Sequence, residues 1–133
     1  IRLKNKNINL VDESYNSNPL SLKSAIENFN LINTKNKKYM ILGDMLELGK
    51  HSKSLHQKIA PIINSTSINK VHILGNHIKE TYKNVSSSKK GFILKESSQI
   101  IDLIQNELNN NDYLMIKGSN STGLNKFAKQ LKK

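Results

Sequence analysis

The sequence predicts an α/β fold with a mostly parallel sheet of five to six strands and helices on both faces. Five short apolar runs are spaced along the chain, and after each of them apolar residues recur with helical periodicity. Runs that are apolar at nearly every position are typical of strands buried on both faces, as in parallel sheets. Strands that alternate with helices in this way indicate an α/β domain, and 133 residues suit a single one.

Each predicted element is placed by its apolar pattern. The strands are predicted at residues 8–11, 39–42, 71–75, 92–94 and 113–116. Four helices are predicted from apolar stripes, and a further short helix is predicted near residues 76–82. The stripes are Leu22, Ala25, Ile26 and Phe29; Leu55, Ile59, Ile62 and Ile63; Ile100, Ile101, Ile104 and Leu108; and Leu124, Phe127, Ala128 and Leu131. Asn18 and Ser97 are predicted helix caps, and Pro19 suits a first helical position. Pro61 predicts a kink or an early stop in the second helix.

Polar residues gather where the predicted strands end, in the segments 12–19, 43–50, 75–77 and 117–122. Right-handed crossovers place the loops that follow parallel strands on one edge of the sheet. This carboxyl edge is where α/β proteins bind ligands. We therefore predict that these four segments line a common rim, to which Asp12 and Glu13 contribute carboxylates. Neighbouring strand residues point to opposite faces, so we do not expect an acid–base pair. One of the two carboxylates is expected to bind a ribose or a metal-linked water, or to make an orienting contact.

Composition excludes several classes of protein. The net charge of +11 comes almost entirely from scattered lysines, with a single arginine and 5% aromatic residues. Nucleic-acid readers usually favour arginine and stacking aromatics, so we interpret the charge as a chain-wide bias that can still favour a polyphosphate ligand. The chain has no cysteine, which excludes disulfides and favours a reducing compartment. No apolar run has the length of a membrane span.

The loop 42–50 has a glycine near each end, but it does not match a phosphate-binding P-loop. Five residues separate Gly43 from Gly49 instead of four, and His51 stands where a P-loop needs serine or threonine. The four histidines fit no zinc signature, and His72 is predicted to be a packing or edge residue inside a strand. Lys117, at the end of the last strand, can neutralise a phosphate or a carboxylate.

Three motifs follow one another in a fixed order: Asp-Glu-Ser-Tyr-Asn-Ser-Asn-Pro at 12–19, Leu-Gly-Asp-Met-Leu-Glu-Leu-Gly at 42–49, and Lys-Gly-Ser at 117–119, with His56 between the second and the third. In order and spacing they resemble the C-terminal, Rossmann-like domain of the Mur ligases. Within that family they are similar to the ligases that add D-alanyl-D-alanine to UDP-N-acetylmuramoyl-tripeptide. The corresponding family patterns are D-D-x-Y-N-A-N-P, L-G-D-M-x-E-L-G and K-G-S-R. Two residues depart from them, because Glu13 replaces the second aspartate and Asn120 stands where arginine is frequent.

The resemblance implies a three-domain, cytoplasmic enzyme of peptidoglycan precursor synthesis, of which residues 1–133 are the C-terminal domain. Its partners would be its own N-terminal UDP-binding domain and its own central ATPase domain. With ATP and Mg²⁺, such an enzyme converts the peptide carboxylate to an acyl phosphate, which the amine of D-alanyl-D-alanine attacks. This chain has no GxxxxGK[ST] motif, so the phosphate cradle and the metal ligands are expected outside it. The domain by itself is expected to be inactive.

The resemblance also implies a role for individual residues. The nucleotide-binding residues would be Asp12, Glu13, Tyr15, Asn16 and Asn18. The residues that face the incoming amine substrate would be Asp44, His56, Lys117 and Ser119, with no catalytic or metal-binding residue in the chain. Apart from the resemblance, His56 lies one turn into the predicted helix after the second loop, from where it could reach the rim in either a substrate-binding or an orienting role.

Two alternatives from other functional classes are compatible with the sequence. The chain could be a stand-alone, Rossmann-like module that binds a nucleotide or a peptide without ligase activity. It could also be a basic nucleic-acid binder, which the scarcity of arginine and aromatic residues disfavours.

Overall fold

A computed structural model of the chain describes residues 1–3, 5–13 and 17–118, together with Lys129 and Leu131. The chain starts with an antiparallel hairpin of β1 (Arg2–Leu3) and β2 (Lys6–Asn7). A five-stranded sheet follows. Its strands are β3 (Asn9–Asp12), β4 (Lys38–Gly43), β5 (Lys70–Leu74), β6 (Lys90–Leu94) and β7 (Tyr113–Lys117).

The order of the strands is β3-β7-β4-β5-β6, and every pairing between them is parallel. The chain moves outward through β4, β5 and β6, then returns across the sheet and inserts β7 between β3 and β4. The predicted parallel sheet is therefore confirmed. The hairpin was not predicted, because strands of two residues are too short to show any periodicity.

Helices cover both faces of the sheet. They are α1 (Pro19–Asn30), α2 (Ser52–Gln57), α3 (Ile59–Asn64), α4 (Lys79–Asn84) and α5 (Gln99–Glu107). Strand β4 is buried along its whole length and divides the core. Met40 and Leu42 pack in one cluster with apolar residues of α1 and α3, whereas Tyr39 and Ile41 pack in a second cluster with residues of α5. The alternation of side chains along a strand thus produces one core on each face. The predicted helix at residues 124–131 lies outside the described part of the chain apart from Lys129 and Leu131.

Three predicted helix boundaries shift in the structure. The second predicted helix is divided at Lys58 into α2 and α3, because Pro61 has no amide hydrogen to donate to the preceding turn. Helix α4 begins at Lys79, after a turn in which the amides of Asn76 and Ile78 donate hydrogen bonds to the Asp44 carboxylate. Helix α5 begins at Gln99, and Ser98 before it makes no side-chain capping bond. The predicted cap at Ser97 is therefore wrong. Instead, the Gln99 side chain accepts hydrogen bonds from the amides of residues 95 and 96.

The start of α1 follows the prediction closely. The Asn18 Oδ1 accepts a hydrogen bond of 2.9 Å from the Ser21 amide, and the Ser21 Oγ accepts one of 3.0 Å from the Asn18 amide. Pro19 occupies the first helical position. This reciprocal capping box satisfies two backbone amides at the start of α1.

Replacing Asn18 by alanine is expected to lower the free energy of unfolding by about 1 kcal/mol, because the asparagine side chain accepts one of the two hydrogen bonds of the capping box. Urea unfolding followed by circular dichroism measures the change. The control is Ser24→Ala, on the exposed side of the same helix, which is expected to leave stability equal or slightly raised. Equal losses in the two variants would contradict a capping role for Asn18.

Part of the excess of lysine has a structural use. The buried Lys38 donates from Nζ to the carbonyl oxygens of Asn30 and Ile32, at 2.8 and 3.1 Å, where α1 ends. Lys6 donates in the same way to carbonyl groups at the end of α5, among them that of Leu108 at 2.7 Å. A cation at a helix C-terminus satisfies carbonyl groups that have no partner within the helix. These lysines are therefore helix caps rather than parts of a ligand-binding patch.

Candidate functional site

The ends of the five strands form one row along the carboxyl edge of the sheet. In the register of the sheet, Asp12 lies opposite Ile116, Leu42 opposite Lys117, and Gly43 opposite Leu74. Since neighbouring strands lie about 4.8 Å apart, the ends of β3 and β4 are separated by roughly 10 Å, with the end of β7 between them. The described beginnings of the first two motifs, residues 12–13 and 42–44, therefore share an edge with Lys117, as the sequence predicted.

Lys117 links the ends of β7 and β3. Its side chain is buried, and its Nζ donates a hydrogen bond of 3.0 Å to the carbonyl oxygen of Glu13. The Glu13 amide in turn donates to the Ile116 carbonyl at 3.0 Å, which continues the pairing of the strands. Burial lowers the pKa of the Lys117 ammonium, and the nearby Glu13 carboxylate opposes this effect. A largely desolvated cation thus lies where β7 is inserted between β3 and β4.

The nucleotide-binding residues predicted from the first motif lie at the end of β3. Asp12 is the last residue of that strand and is half-buried, whereas Glu13 directly after it is exposed. Asn18 is exposed and caps α1. Tyr15, Asn16 and Ser119 fall outside the described residues. The nucleotide contacts expected of this motif stay predictions.

Asp44 connects the loop after β4 with the loop after β5. Its Oδ1 accepts a hydrogen bond of 2.8 Å from the Ile78 amide, and its Oδ2 accepts one of 3.2 Å from the Asn76 amide. Gly75 lies against this carboxylate with a φ of +145°, and a Cβ atom there would be 2.4 Å from Asp44 Oδ1. The carboxylate therefore holds the turn that leads into α4, and the glycine allows its close approach.

His56 is fully buried and bonded on both sides of its ring. Its Nε2 accepts a hydrogen bond of 3.1 Å from the Met45 amide, and its Nδ1 lies 2.7 Å from the Ser52 carbonyl oxygen. The ring also stacks on His77, with centroids 5.8 Å apart. Desolvation lowers the pKa of His56, partly offset by its bond to Ser52 and by the charge of Asp44. This geometry fits an orienting role better than direct contact with a substrate, because the side chain does not reach the surface.

A cleft of about 600 Å³ opens beside Asp44, at the ends of β4, β5 and β6. Its walls combine apolar and charged side chains, which are those of Leu46, Leu74, Lys79, Ile93, Lys95 and Glu96. Both lysines and Glu96 are exposed. Cations and carboxylates on the walls of one cleft suit a zwitterionic ligand, which needs a partner for each of its charges. Sequence reasoning missed Lys79, Lys95 and Glu96, although each follows a predicted strand on the carboxyl edge.

Over residues 1–3, 5–13 and 17–118, with positions 129 and 131, no group of three or more histidine, aspartate or glutamate residues is placed to hold a metal ion. Nor does any helix there have the length and hydropathy needed to cross a membrane.

A family model described as "Mur ligase, glutamate ligase domain" matches residues 1–120. The chain belongs to the Mur ligase family. Curated relatives of this Mur ligase domain carry the name UDP-N-acetylmuramoyl-tripeptide–D-alanyl-D-alanine ligase. The protein from Rickettsia prowazekii is 30% identical over 123 residues, which are 92% of this chain and 27% of that protein. The protein from Buchnera aphidicola of Baizongia pistaciae is 34% identical over 133 residues, 98% of this chain and 28% of that protein. The domain thus spans about a quarter of the length of these relatives.

Solved structures of Mur ligases share the fold of this domain. A MurF ligase from Thermotoga maritima in complex with ADP superposes with a TM-score of 0.74 at 21% identity, covering 94% of this chain and 29% of that one. MurF from Acinetobacter baumannii superposes with a TM-score of 0.75 at 22% identity, covering 92% and 27%. These superpositions support the predicted architecture of the Mur ligase domain.

Proposed function

We propose that this Mur ligase domain is the C-terminal part of a cytoplasmic, ATP-dependent ligase that joins D-alanyl-D-alanine to UDP-N-acetylmuramoyl-tripeptide. The observation that carries the proposal is similarity along almost the whole chain to proteins of that name, at 34% identity over 98% of the chain in one case. The proposal assigns to this domain the edge that closes over ATP and the dipeptide. The other domains would supply the UDP-sugar site and the phosphate cradle.

The layout of the carboxyl edge supports a nucleotide-binding role at the end of β3 and a dipeptide-binding role at the ends of the neighbouring strands β7 and β4. The end of β3 carries Asp12, followed by Glu13, and their oxygen atoms suit hydrogen bonds from the ATP ribose. Tyr15, Asn16 and Asn18 would border the nucleotide. Asp44, Lys117 and Ser119 would face the dipeptide from the loops after β4 and β7. D-alanyl-D-alanine is a zwitterion, and the described part of this edge offers both Lys117 and the carboxylate of Asp44. Its amine would lie near the acyl phosphate when the domains close.

ATP and Mg²⁺ would supply activation of the peptide carboxylate in the complete enzyme. The described residues of this domain include no set of metal ligands, so no metal-binding role is assigned to them. In the proposed reaction these residues bind the nucleotide, orient the dipeptide and exclude water from the reactive carboxyl group. Domain closure suits this role, because contacts between domains of one chain are generally modest in area.

The proposed function is tested in the complete protein that carries this domain. Phosphate release from ATP is measured with UDP-N-acetylmuramoyl-tripeptide, with D-alanyl-D-alanine, and with both. We expect release and formation of the muramoyl-pentapeptide when both are present. Binding of ATP or of the dipeptide without any product would instead support the stand-alone binding module.

Replacing Lys117 by alanine in the complete ligase is expected to lower kcat/KM for D-alanyl-D-alanine about ten-fold or more, because hydrogen bonds to charged groups are among the stronger ones. Steady-state kinetics with the dipeptide as the varied substrate measure the change. Lys23→Ala, on the exposed side of α1, is the matched control and should leave the kinetics unchanged. Unchanged kinetics in a folded Lys117→Ala protein would remove this lysine from the site.

A further inference from the structure

We infer that His56 is a positioning residue that holds the loop of residues 44–48 through the Met45 amide while its ring is neutral, and that protonation of the ring releases this loop. The inference deepens the proposed function, on which its kinetic readout rests. Its structural readout does not depend on any ligase activity. The expected effect acts on Asp44, which directly precedes Met45 and lines the cleft.

The two hydrogen bonds of the ring define one tautomer. The Ser52 carbonyl oxygen can only accept, so Nδ1 carries the hydrogen over the 2.7 Å contact. The Met45 amide can only donate, so Nε2 must present its lone pair over the 3.1 Å contact. A doubly protonated ring would turn a donor toward the Met45 amide. It would also place a charge in a site that is shielded from water, where charge is costly.

The contacts of His56 connect three elements, which are α2, α4 and the loop of residues 44–48. The Thr81 hydroxyl of α4 donates a hydrogen bond of 2.6 Å to the His56 carbonyl oxygen, so α2 is also tied to the helix after β5. Asp44 reaches the same region through its bonds to the amides of Asn76 and Ile78. The loops after β4 and β5 therefore meet on His56 and Asp44. Loss of the Met45 bond would release the loop of residues 44–48 from α2.

Several titratable groups surround the ring, on each element packed against it. Asp44 lies on the loop after β4, His77 on the turn after β5, and Glu80 on α4. The two carboxylates favour the protonated ring and His77 opposes it, while desolvation is the largest influence and lowers the pKa of His56. The neutral form is therefore the one that folding stabilises. Its contribution is complete above about pH 6.5, the ordinary pKa of histidine, and is lost as the pH falls through the lowered value.

Two replacements of His56 separate its two hydrogen bonds. The amide oxygen of glutamine can take the place of Nε2 and accept from Met45, whereas asparagine is shorter and can only replace Nδ1 as the donor to Ser52. We expect His56→Asn to lower the hydrogen-exchange protection factor of the Met45 amide about ten-fold, the usual worth of one hydrogen bond. His56→Gln should keep this protection factor within about three-fold of the native value, a smaller change than the loss of one hydrogen bond would cause. The exposed His51, changed to glutamine, is the control.

The experiment uses the complete protein that carries this domain. In the native protein, nitrogen chemical shifts at pH 7.5 should show Nδ1 protonated and Nε2 unprotonated; the opposite tautomer would overturn the inference even if a variant fails to fold. We expect kcat/KM for D-alanyl-D-alanine to fall in His56→Asn and to stay near native in His56→Gln. As the pH falls through the lowered pKa of His56, the native protein, but not His56→Gln, should lose loop protection. Equal protection factors in the two variants would overturn the inference. Absence of ligase activity in the native protein would refute only the proposed function.

Discussion

Replacing Gly75 by alanine is expected to lower the free energy of unfolding by about 2–4 kcal/mol, the sum of backbone strain and a weakened buried hydrogen bond. The φ of +145° at this position lies in a region that residues with a side chain rarely adopt. The new Cβ would also stand 2.4 Å from Asp44 Oδ1 and 2.7 Å from its Cγ. Asp44 would have to move, and the amides of Asn76 and Ile78 would then lose their acceptor.

Urea unfolding at pH 7.5 measures this loss, and the chain offers a matched control. Gly49 also has a positive φ, of +58°, but an added Cβ there meets nothing within 4 Å. Gly49→Ala should therefore cost only the backbone term, about 1–2 kcal/mol. In the double variant Gly75→Ala, Asp44→Ala the clash is removed, so its loss should be smaller than the sum of the two single losses. A loss at Gly75 no larger than that at Gly49 would contradict the contact with Asp44.

Acidification from pH 7 to pH 4 is expected to remove about 3 kcal/mol of stability through His72 alone. Burial lowers the pKa of this histidine from 6.5 to about 4, with a smaller contribution from the charge of Lys70. In the unfolded chain the ring gains its proton near pH 6.5, whereas in the folded chain it stays neutral to about pH 4. The stability from the neutral ring is therefore complete above pH 6.5 and is lost as the pH falls toward 4.

The structure explains why His72 resists protonation. Its Nδ1 accepts a hydrogen bond of 2.8 Å from the Phe92 amide, at an irregularity in the pairing of β5 with β6. The ring stacks between Tyr39 and Phe92, with centroids 6.3 and 5.7 Å away. A proton on Nδ1 would face the Phe92 amide and place a charge among aromatic rings. Gly91 packs against the same ring, since a Cβ at that position would be 2.2 Å from Nδ1.

The measurement is the free energy of unfolding as a function of pH for the native chain and for His72→Asn. The asparagine oxygen can accept from the Phe92 amide but cannot titrate, so the variant is expected to be less stable at pH 7 and less sensitive to acid. The difference between the two curves should shrink by about 3 kcal/mol between pH 7 and pH 4. The exposed His51, changed to asparagine, serves as control and should give a curve parallel to the native one. Parallel curves for His72→Asn would show that its neutral state contributes nothing.

Local sequence patterns were sufficient to predict those elements of the fold that depend on neighbouring residues alone. The capping of α1 by Asn18 and the position of Pro19 depend on neighbours within three residues, and the structure confirms both. The buried strand β4 was evident from its unbroken apolar run. The start of α4 was missed because it depends on Asp44, which is distant in sequence from the amides it binds.

The candidate site divides in the same way. The resemblance to the Mur ligases singled out Asp44, His56 and Lys117 as candidates, but it could not show which groups each would bind. In the structure the side chains of all three bond to backbone groups of other segments, over 32–34, 11 and 104 positions respectively. Such contacts depend on where the loops meet, and no periodicity records that.

By itself, the sequence determined the α/β alternation, the common rim of strand-end loops and membership of the Mur ligase family, because each follows from local periodicity or from short motifs. Only the tertiary structure decided that β7 lies between β3 and β4, that a cleft opens between the ends of β4, β5 and β6, and that His56 faces a backbone amide. The physical reason is that strand order and side-chain partners are set by packing between distant segments. Identical local patterns are compatible with several such arrangements.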